Sequence, residues 1–266
     1  MKKILLASTI LVGTAGFAAA DTANFSFSGA AGFGVAYNIT TSTLAPTVNA
    51  EFTAGMSTTT DMGLEAGAEV TVTANGIGYD TDLGVTSALG GISDASVYLS
   101  GDFGKLTVEY AAANEVDYSY EYVWGDVTLE AGYNWIAGAT NDEATATVTY
   151  AFGNYEVYAG VNADQTSGAW AVETIDFGAS ADISGFSLSA DVTYDLGLST
   201  YTWEAAAGYA SGAYSIDLTV AGDNTFAAFD YSLEGSYDLG GGVSIDAGYF
   251  HNAVADSVTA GVSMEF

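Results

Sequence analysis

Beyond residue 20 this chain alternates between apolar and polar residues, and that period decides what it can fold into. From Phe186 the apolar Phe186, Leu188, Ala190, Val192 and Tyr194 interleave one for one with Ser187, Ser189, Asp191, Thr193 and Asp195. Successive side chains of a β-strand point to opposite faces, so this spacing predicts strands with one apolar and one polar face. The same pattern returns in Tyr214, Ile216, Leu218 and Val220 against Ser215, Asp217 and Thr219. It returns again in Val243, Ile245, Ala247 and Tyr249 against Ser244, Asp246 and Gly248, and in Val258, Ala260, Val262, Met264 and Phe266 against Thr259, Gly261, Ser263 and Glu265.

Following the alternation upstream predicts strands at 24–38, 47–57, 61–74, 93–102, 104–113, 117–124, 126–137, 143–152, 154–163, 170–183, 185–195, 199–210, 213–222, 225–238, 243–251 and 254–266, sixteen in all. The count falls to fourteen if the weakest two, 117–124 and 170–183, do not form; in the second, Glu173 shares the parity of Ile175 and Phe177, which would start that strand at Thr174. Short connections rich in Gly, Asp and Asn, such as Asp102-Phe103-Gly104, Gly125-Asp126, Gly153-Asn154 and Ser211-Gly212, read as tight hairpins. Pro46, the one proline, is placed between strands, where it breaks no ladder.

Composition says where the two faces go. The chain is 49% apolar and 13% aromatic, too rich in both to be disordered despite a formal charge of −30. Yet after residue 20 no apolar run reaches the roughly 20 residues of a membrane helix. The polar parity carries too many carboxylates for a dry core, since buried unpaired carboxylates are strongly disfavoured, so it lines water. Aromatics of the apolar parity, including Phe25, Tyr37, Phe103, Tyr110, Tyr118, Trp124, Trp135, Phe152, Tyr155, Tyr194, Tyr201, Trp203 and Tyr209, collect near strand ends, as in the girdles of a barrel at two membrane interfaces. The reading is an all-β, transmembrane antiparallel barrel. An even strand count closes it, and closure leaves no unpaired edge in hydrocarbon.

The first twenty residues are of another kind. Met1-Lys2-Lys3 is cationic, residues 4–17 are apolar, and Ala18-Ala19-Ala20 offers small side chains for cleavage, which predicts an export signal over 1–20, cut after Ala20 with Ala18 and Ala20 as the small residues of the site, and a barrel of 21–266. Cleavage leaves Lys105 alone against 33 carboxylates, with no arginine. A nucleic-acid partner is thereby excluded, because binding phosphates takes Lys and Arg. The absence of cysteine excludes disulfides, thiolate metal sites and a Cys nucleophile. A barrel enzyme needs a nucleophile or water activated by a base, and one His and one Lys leave little for that. A secreted or surface structural β-protein of solenoid type would show a fixed sequence repeat, which is not found.

Three stretches carry a family resemblance. The start Met1-Lys2-Lys3-Ile4-Leu5-Leu6-Ala7-Ser8-Thr9, the hairpin from Ala95 to Tyr110 through Gly101-Asp102-Phe103-Gly104, and the ending Val262, Met264, Phe266 are similar to those of Gram-negative general porins, in particular the alphaproteobacterial, Rhodobacter-like outer-membrane type. The resemblance implies a trimeric sixteen-stranded barrel in outer-membrane lipid, short periplasmic turns, passive diffusion of small hydrophilic solutes and ions, no cofactor, and a C-terminal signal at Val262, Met264 and Phe266 read by the barrel-assembly machinery. Two departures stand out. The family folds a long constriction loop inward after the fifth strand, whereas residues 111–116 leave almost nothing to fold. It also sets arginines across the pore from acids, and here there are none.

The alternation also names the candidate site. Glu51, Glu69, Glu109, Glu121, Glu130, Asp176, Asp191, Glu204, Asp217, Asp230, Glu234 and Asp246 share the polar parity, and acid rings in an aqueous passage concentrate cations and deplete anions. Lys105 is the lone cation of that parity, expected in a local salt bridge near Asp102 and Glu109. Tyr98, Tyr158, Phe226 and Phe250 are its scattered aromatics. Asp80 with Asp82, and Asp142 with Glu143, are weak candidates for Ca²⁺, which takes carboxylate and carbonyl oxygens, although no Ca²⁺-loop spacing surrounds them.

Overall fold

The computed structural model describes residues 23–75, 91–112, 115–138, 142–166, 169–226 and 228–266. The export signal with Ala18 and Ala20, and the loop acids Asp80 and Asp82, lie outside them. Sixteen strands form one sheet: β1 (Ala23–Asn38), β2 (Thr43–Thr59), β3 (Glu65–Asn75), β4 (Gly91–Gly101), β5 (Gly104–Ala112), β6 (Glu115–Trp124), β7 (Val127–Ile136), β8 (Glu143–Phe152), β9 (Tyr155–Thr166), β10 (Ala169–Ile183), β11 (Phe186–Asp195), β12 (Thr200–Ser211), β13 (Tyr214–Asp223), β14 (Phe229–Gly240), β15 (Val243–His251) and β16 (Asp256–Glu265). Each pairs antiparallel with its sequence neighbours, and β1 pairs with β16, so the sheet is a closed barrel. Both edges that would otherwise stand open are thereby consumed.

The two rims differ. At the rim holding the chain's C-terminus the hairpins are two to five residues long, and Ser184 and Gly185 both take positive φ (52° and 88°), the handedness that lets a two-residue turn follow the strand twist. Phe266 closes the seam there, exchanging backbone bonds with Gly29 at 2.7 and 3.0 Å. At the opposite rim the connections run longer and less regularly, except between β5 and β6 and between β9 and β10, where only residues 113–114 and 167–168 intervene. The absence of a long inward loop after the fifth strand is thus a feature of the fold.

Register carries one apolar face unbroken around the barrel. Phe33 pairs with Val262 and Val48, Phe52 with Val72, Val97 with Val108, Val192 with Trp203, and Leu218 with Ala207 and Leu233. Phe33, Val48, Phe52, Val97 and Leu218 remain exposed, and the only fully buried apolar residue among those described is Ala36. A sheet of this size with its large apolar side chains outward is stable only in hydrocarbon. Leu218 sits mid-strand on this face, so Leu218→Arg is expected to cost roughly 2–4 kcal/mol of barrel stability; urea unfolding in lipid vesicles measures it, and an unchanged midpoint would place Leu218 off the lipid face.

Three local readings of the sequence are corrected. Pro46 lies inside β2, opposite Val35, rather than between strands. The described pairing of β2 with β3 begins only at Asn49, so at Pro46 the strand is laddered on one side and its missing N–H is tolerated at the other. Next, β10 does not start at Thr174: it begins at Ala169, and a β-bulge at Glu173 between Val172 and Thr174 switches the parity, placing Trp170 and Val172 on the same face as Ile175 and Phe177. Finally, Phe226 is no strand residue. It occupies the β13–β14 turn with φ of 52° and stacks on Trp203, 6.0 Å between ring centroids, away from the polar face.

Candidate functional site: the polar wall of the barrel

The face opposite the apolar one is the barrel's inner wall. On a concave surface side chains converge, and here the Tyr158 hydroxyl on β9 reaches across β10, over Gly178, to donate to the Asp191 carboxylate on β11. A Cβ on Gly178 would lie 2.1 Å from the Tyr158 ring and 2.2 Å from Asp191. Register then fixes which residues share this wall. Glu69 faces Ser96, Ser96 faces Glu109, and Glu109 faces Asp117. Glu121 faces Glu130 directly, Asp191 faces Glu204, and Asp217 faces Glu234. Glu51 pairs with Thr73, Asp176 with Thr193, Asp230 with Ala221, and Asp246 with Ser236 and Gly261. All twelve acids singled out from the sequence lie on this one face.

Register adds acids that the sequence reading passed over. Asp117 sits four residues from Glu121 on β6, at the same parity, so the alternation alone could have named it. Glu65, four residues from Glu69 on β3, and Asp94, four residues from Tyr98 on β4, were open to the same reading; Asp164 was harder, because β9 runs three residues past its predicted end. With Glu143 opposite both Asn134 and Asp164, Asp94, Asp117 and Asp164 form a belt on the wall near the longer loops, while Glu65 lies at the C-terminal rim. Asn134 Nδ2 donates to Glu115, at 2.6 Å, and to Asp117. Many remaining contacts of the wall are hydroxyl-to-carboxylate: Thr193 to Asp176 at 2.6 Å, and Ser244 and Ser263 to Asp246 at 3.0 and 2.6 Å. Such bonds orient carboxylates without neutralising them.

Lys105 differs from expectation. It pairs with Ser100 and Glu121, and its ammonium rests 4.7 Å above the Tyr98 ring. The one ion pair among the described residues is His251 with Asp256, 2.6 Å apart at the longer-looped rim, so Lys105 has a cation–π partner where a salt bridge was expected. Tyr98 itself lies over Gly67 and donates to Glu65 at 2.6 Å, and Phe250 lies over Gly248. The wall aromatics therefore lie flat on glycines, and no file of rings projects inward.

The candidate Ca²⁺ ligands diverge. Asp142 accepts from the Tyr133 hydroxyl at 2.7 Å and from Ile136 N at 3.3 Å on the outer side, whereas Glu143 belongs to the inner wall. No group of three or more metal-ligating His, Cys, Asp or Glu side chains converges among the described residues. At the C-terminus Val262 pairs with Phe33 and Ile245, Met264 with Ala31 and Val243, and the Phe266 ring covers Gly29.

A closed sixteen-stranded barrel with an apolar outside and a hydrated acidic inside defines a transmembrane channel of the outer-membrane kind. The family model for Gram-negative porins matches residues 7–128. An engineered variant of Rhodopseudomonas blastica porin shares the fold at TM-score 0.74 and 15% identity, over 91% of this chain and all of the other. Two further variants of that porin match at TM-scores of 0.73 and 0.72, both at 14% identity and the same coverage. No curated protein sequence matches. The partial sequence match and the shared fold make this chain similar to Gram-negative porins.

Proposed function

We propose that this chain is an outer-membrane porin that passes small hydrophilic solutes and ions by diffusion and favours cations. One observation carries the reading: twelve predicted acids, joined by Glu65, Asp94, Asp117, Glu143 and Asp164, occupy a wall on which the sole described strand cation is Lys105. A fixed negative field in a narrow aqueous passage raises local cation concentration and lowers that of anions. In this reading Ca²⁺ and other cations are exchangeable counter-ions, the chain is cut after its leader and inserted by the assembly machinery, and the barrels associate as trimers.

Planar-bilayer recordings across a tenfold KCl gradient test the selectivity. At about 0.1 M salt, where the Debye length is about 10 Å, the reversal potential is expected on the cation side; near 1 M, where it is about 3 Å, the preference should shrink toward that of free solution. A reversal potential on the chloride side would overturn the proposal.

A further inference from the structure

Within the aromatic band of the outer surface lies a shallow groove. It lies at the longer-looped end of β6 and β7, is broadly open with a volume of about 340 Å³, and is lined by Tyr118, Tyr133 and Trp135. Tyr118 and Tyr133 are cross-strand partners whose rings stand 6.2 Å apart, tilted by 36°. On its other side Tyr133 leans toward Trp170 of β10, again 6.2 Å between centroids. Three strand spacings, about 14 Å, separate β7 from β10. The rings meet because the residues between them in register, Ala144 of β8 and Ala163 of β9, are too small to intervene. The row of rings is flanked by one carboxylate: Asp142 is held by the Tyr133 hydroxyl through Oδ2 and by Ile136 N through Oδ1.

We infer that this groove binds the headgroup of an uncharged, hydroxyl-rich glycolipid of the surrounding leaflet. Its position on the hydrocarbon-facing side, at the barrel's end, restricts occupants to molecules resident in the membrane interface. Aromatic faces set beside a carboxylate suit a sugar: the C–H faces of the ring pack on Tyr118, Trp135 and Trp170, and Asp142 accepts from hydroxyls. Charge excludes the alternative. A phosphorylated headgroup needs Lys or Arg, and apart from Lys2 and Lys3 at the extreme N-terminus the chain holds only Lys105, which lies on the inner wall. Beside Asp142 such a headgroup meets like charge. The inference is independent of ion preference, since it concerns the outside of the barrel only.

The purified barrel, exchanged into nanodiscs containing equal shares of monoglycosyl diacylglycerol and phosphatidylglycerol, is released into detergent and its retained lipids are counted by native mass spectrometry. Glycolipid is expected to be retained at least about fivefold over phosphatidylglycerol. Trp135→Ala and Trp170→Ala should each abolish most of that excess, and Asp142→Lys should reverse it in favour of the phospholipid, with the folded gel mobility confirming intact barrels. Equal retention of both lipids by the wild-type protein, or an excess untouched by all three variants, would overturn the inference. So would a loss of oligomer in the variants without change in lipid, since it would assign the groove to a second copy of the chain.

Discussion

Replacing six wall acids by their amides, Glu121→Gln, Glu130→Gln, Asp176→Asn, Asp191→Asn, Glu204→Gln and Asp217→Asn, is expected to lower the cation-to-anion permeability ratio on the order of tenfold at about 0.1 M salt. The estimate starts from one charge about 8 Å from a permeating ion, worth about 0.5 kcal/mol in water and less after screening. Six such charges act together, and with opposite sign on cation and anion. The amides keep the shape of the wall and can still accept from Tyr158 and Thr193, so the barrel should fold as before. Conductance for neutral sugars, measured by liposome swelling, should stay within about twofold because pore width is untouched. Acidification that protonates the carboxylates should move wild-type selectivity the same way and the sextuple variant much less, since it has fewer charges to lose. A ratio indifferent to all six replacements would place the selectivity elsewhere than on these strands.

How much of this was legible beforehand follows from what alternation can encode. The period of two assigns every residue of a regular strand to a face, so β8, β15 and the shared face of the acids could be read one strand at a time. Turn glycines then fixed the ends of the hairpins at the C-terminal rim. A bulge is a property of a strand and its partner together, and so the parity switch at Glu173 showed in the sequence only as a misplaced acid. Asp94, by contrast, shares the parity of Tyr98 and was open to the alternation despite the shift near Ser93. Pro46 was judged by its own missing donor, although what matters is whether a neighbour waits on that side. Partners set by register were beyond reach altogether. Lys105 was expected to pair with acids close in sequence, but a diagonal reach to β4 brings its ammonium over Tyr98. The outer groove is lined by rings of β6 and β7 with Trp170 of β10 beside them, and no local pattern announces that meeting.

Placing a side chain at Gly34 should have a large structural effect, because it acts on the closing seam. Gly34 of β1 faces Gly261 of β16 across the seam that closes the barrel. A Cβ built on Gly34 would lie 2.4 Å from the Ala260 carbonyl oxygen and 2.8 Å from the Gly261 Cα; one on Gly261 would lie 2.8 Å from the Phe33 carbonyl oxygen. These neighbours are backbone, so relief requires the two strands to move apart. Separation exposes the seam's N–H and C=O groups between Ala30 and Asn38 to hydrocarbon, where each unsatisfied group costs several kcal/mol. Because β1 and β16 stand at opposite ends of the sequence, their pairing also carries the greatest loop-closure cost, and no other contact compensates for its loss. Gly34→Val is therefore expected to reduce the yield of folded barrel in detergent or vesicles to a few per cent of wild type, read as the heat-modifiable band on a cold gel. Gly235→Ala provides the contrast, since the nearest atom to its added Cβ is the Ser215 carbonyl oxygen at 3.8 Å and the barrel should fold normally. A Gly34→Val protein with wild-type yield and heat resistance would mean that the first and last strands do not meet this closely.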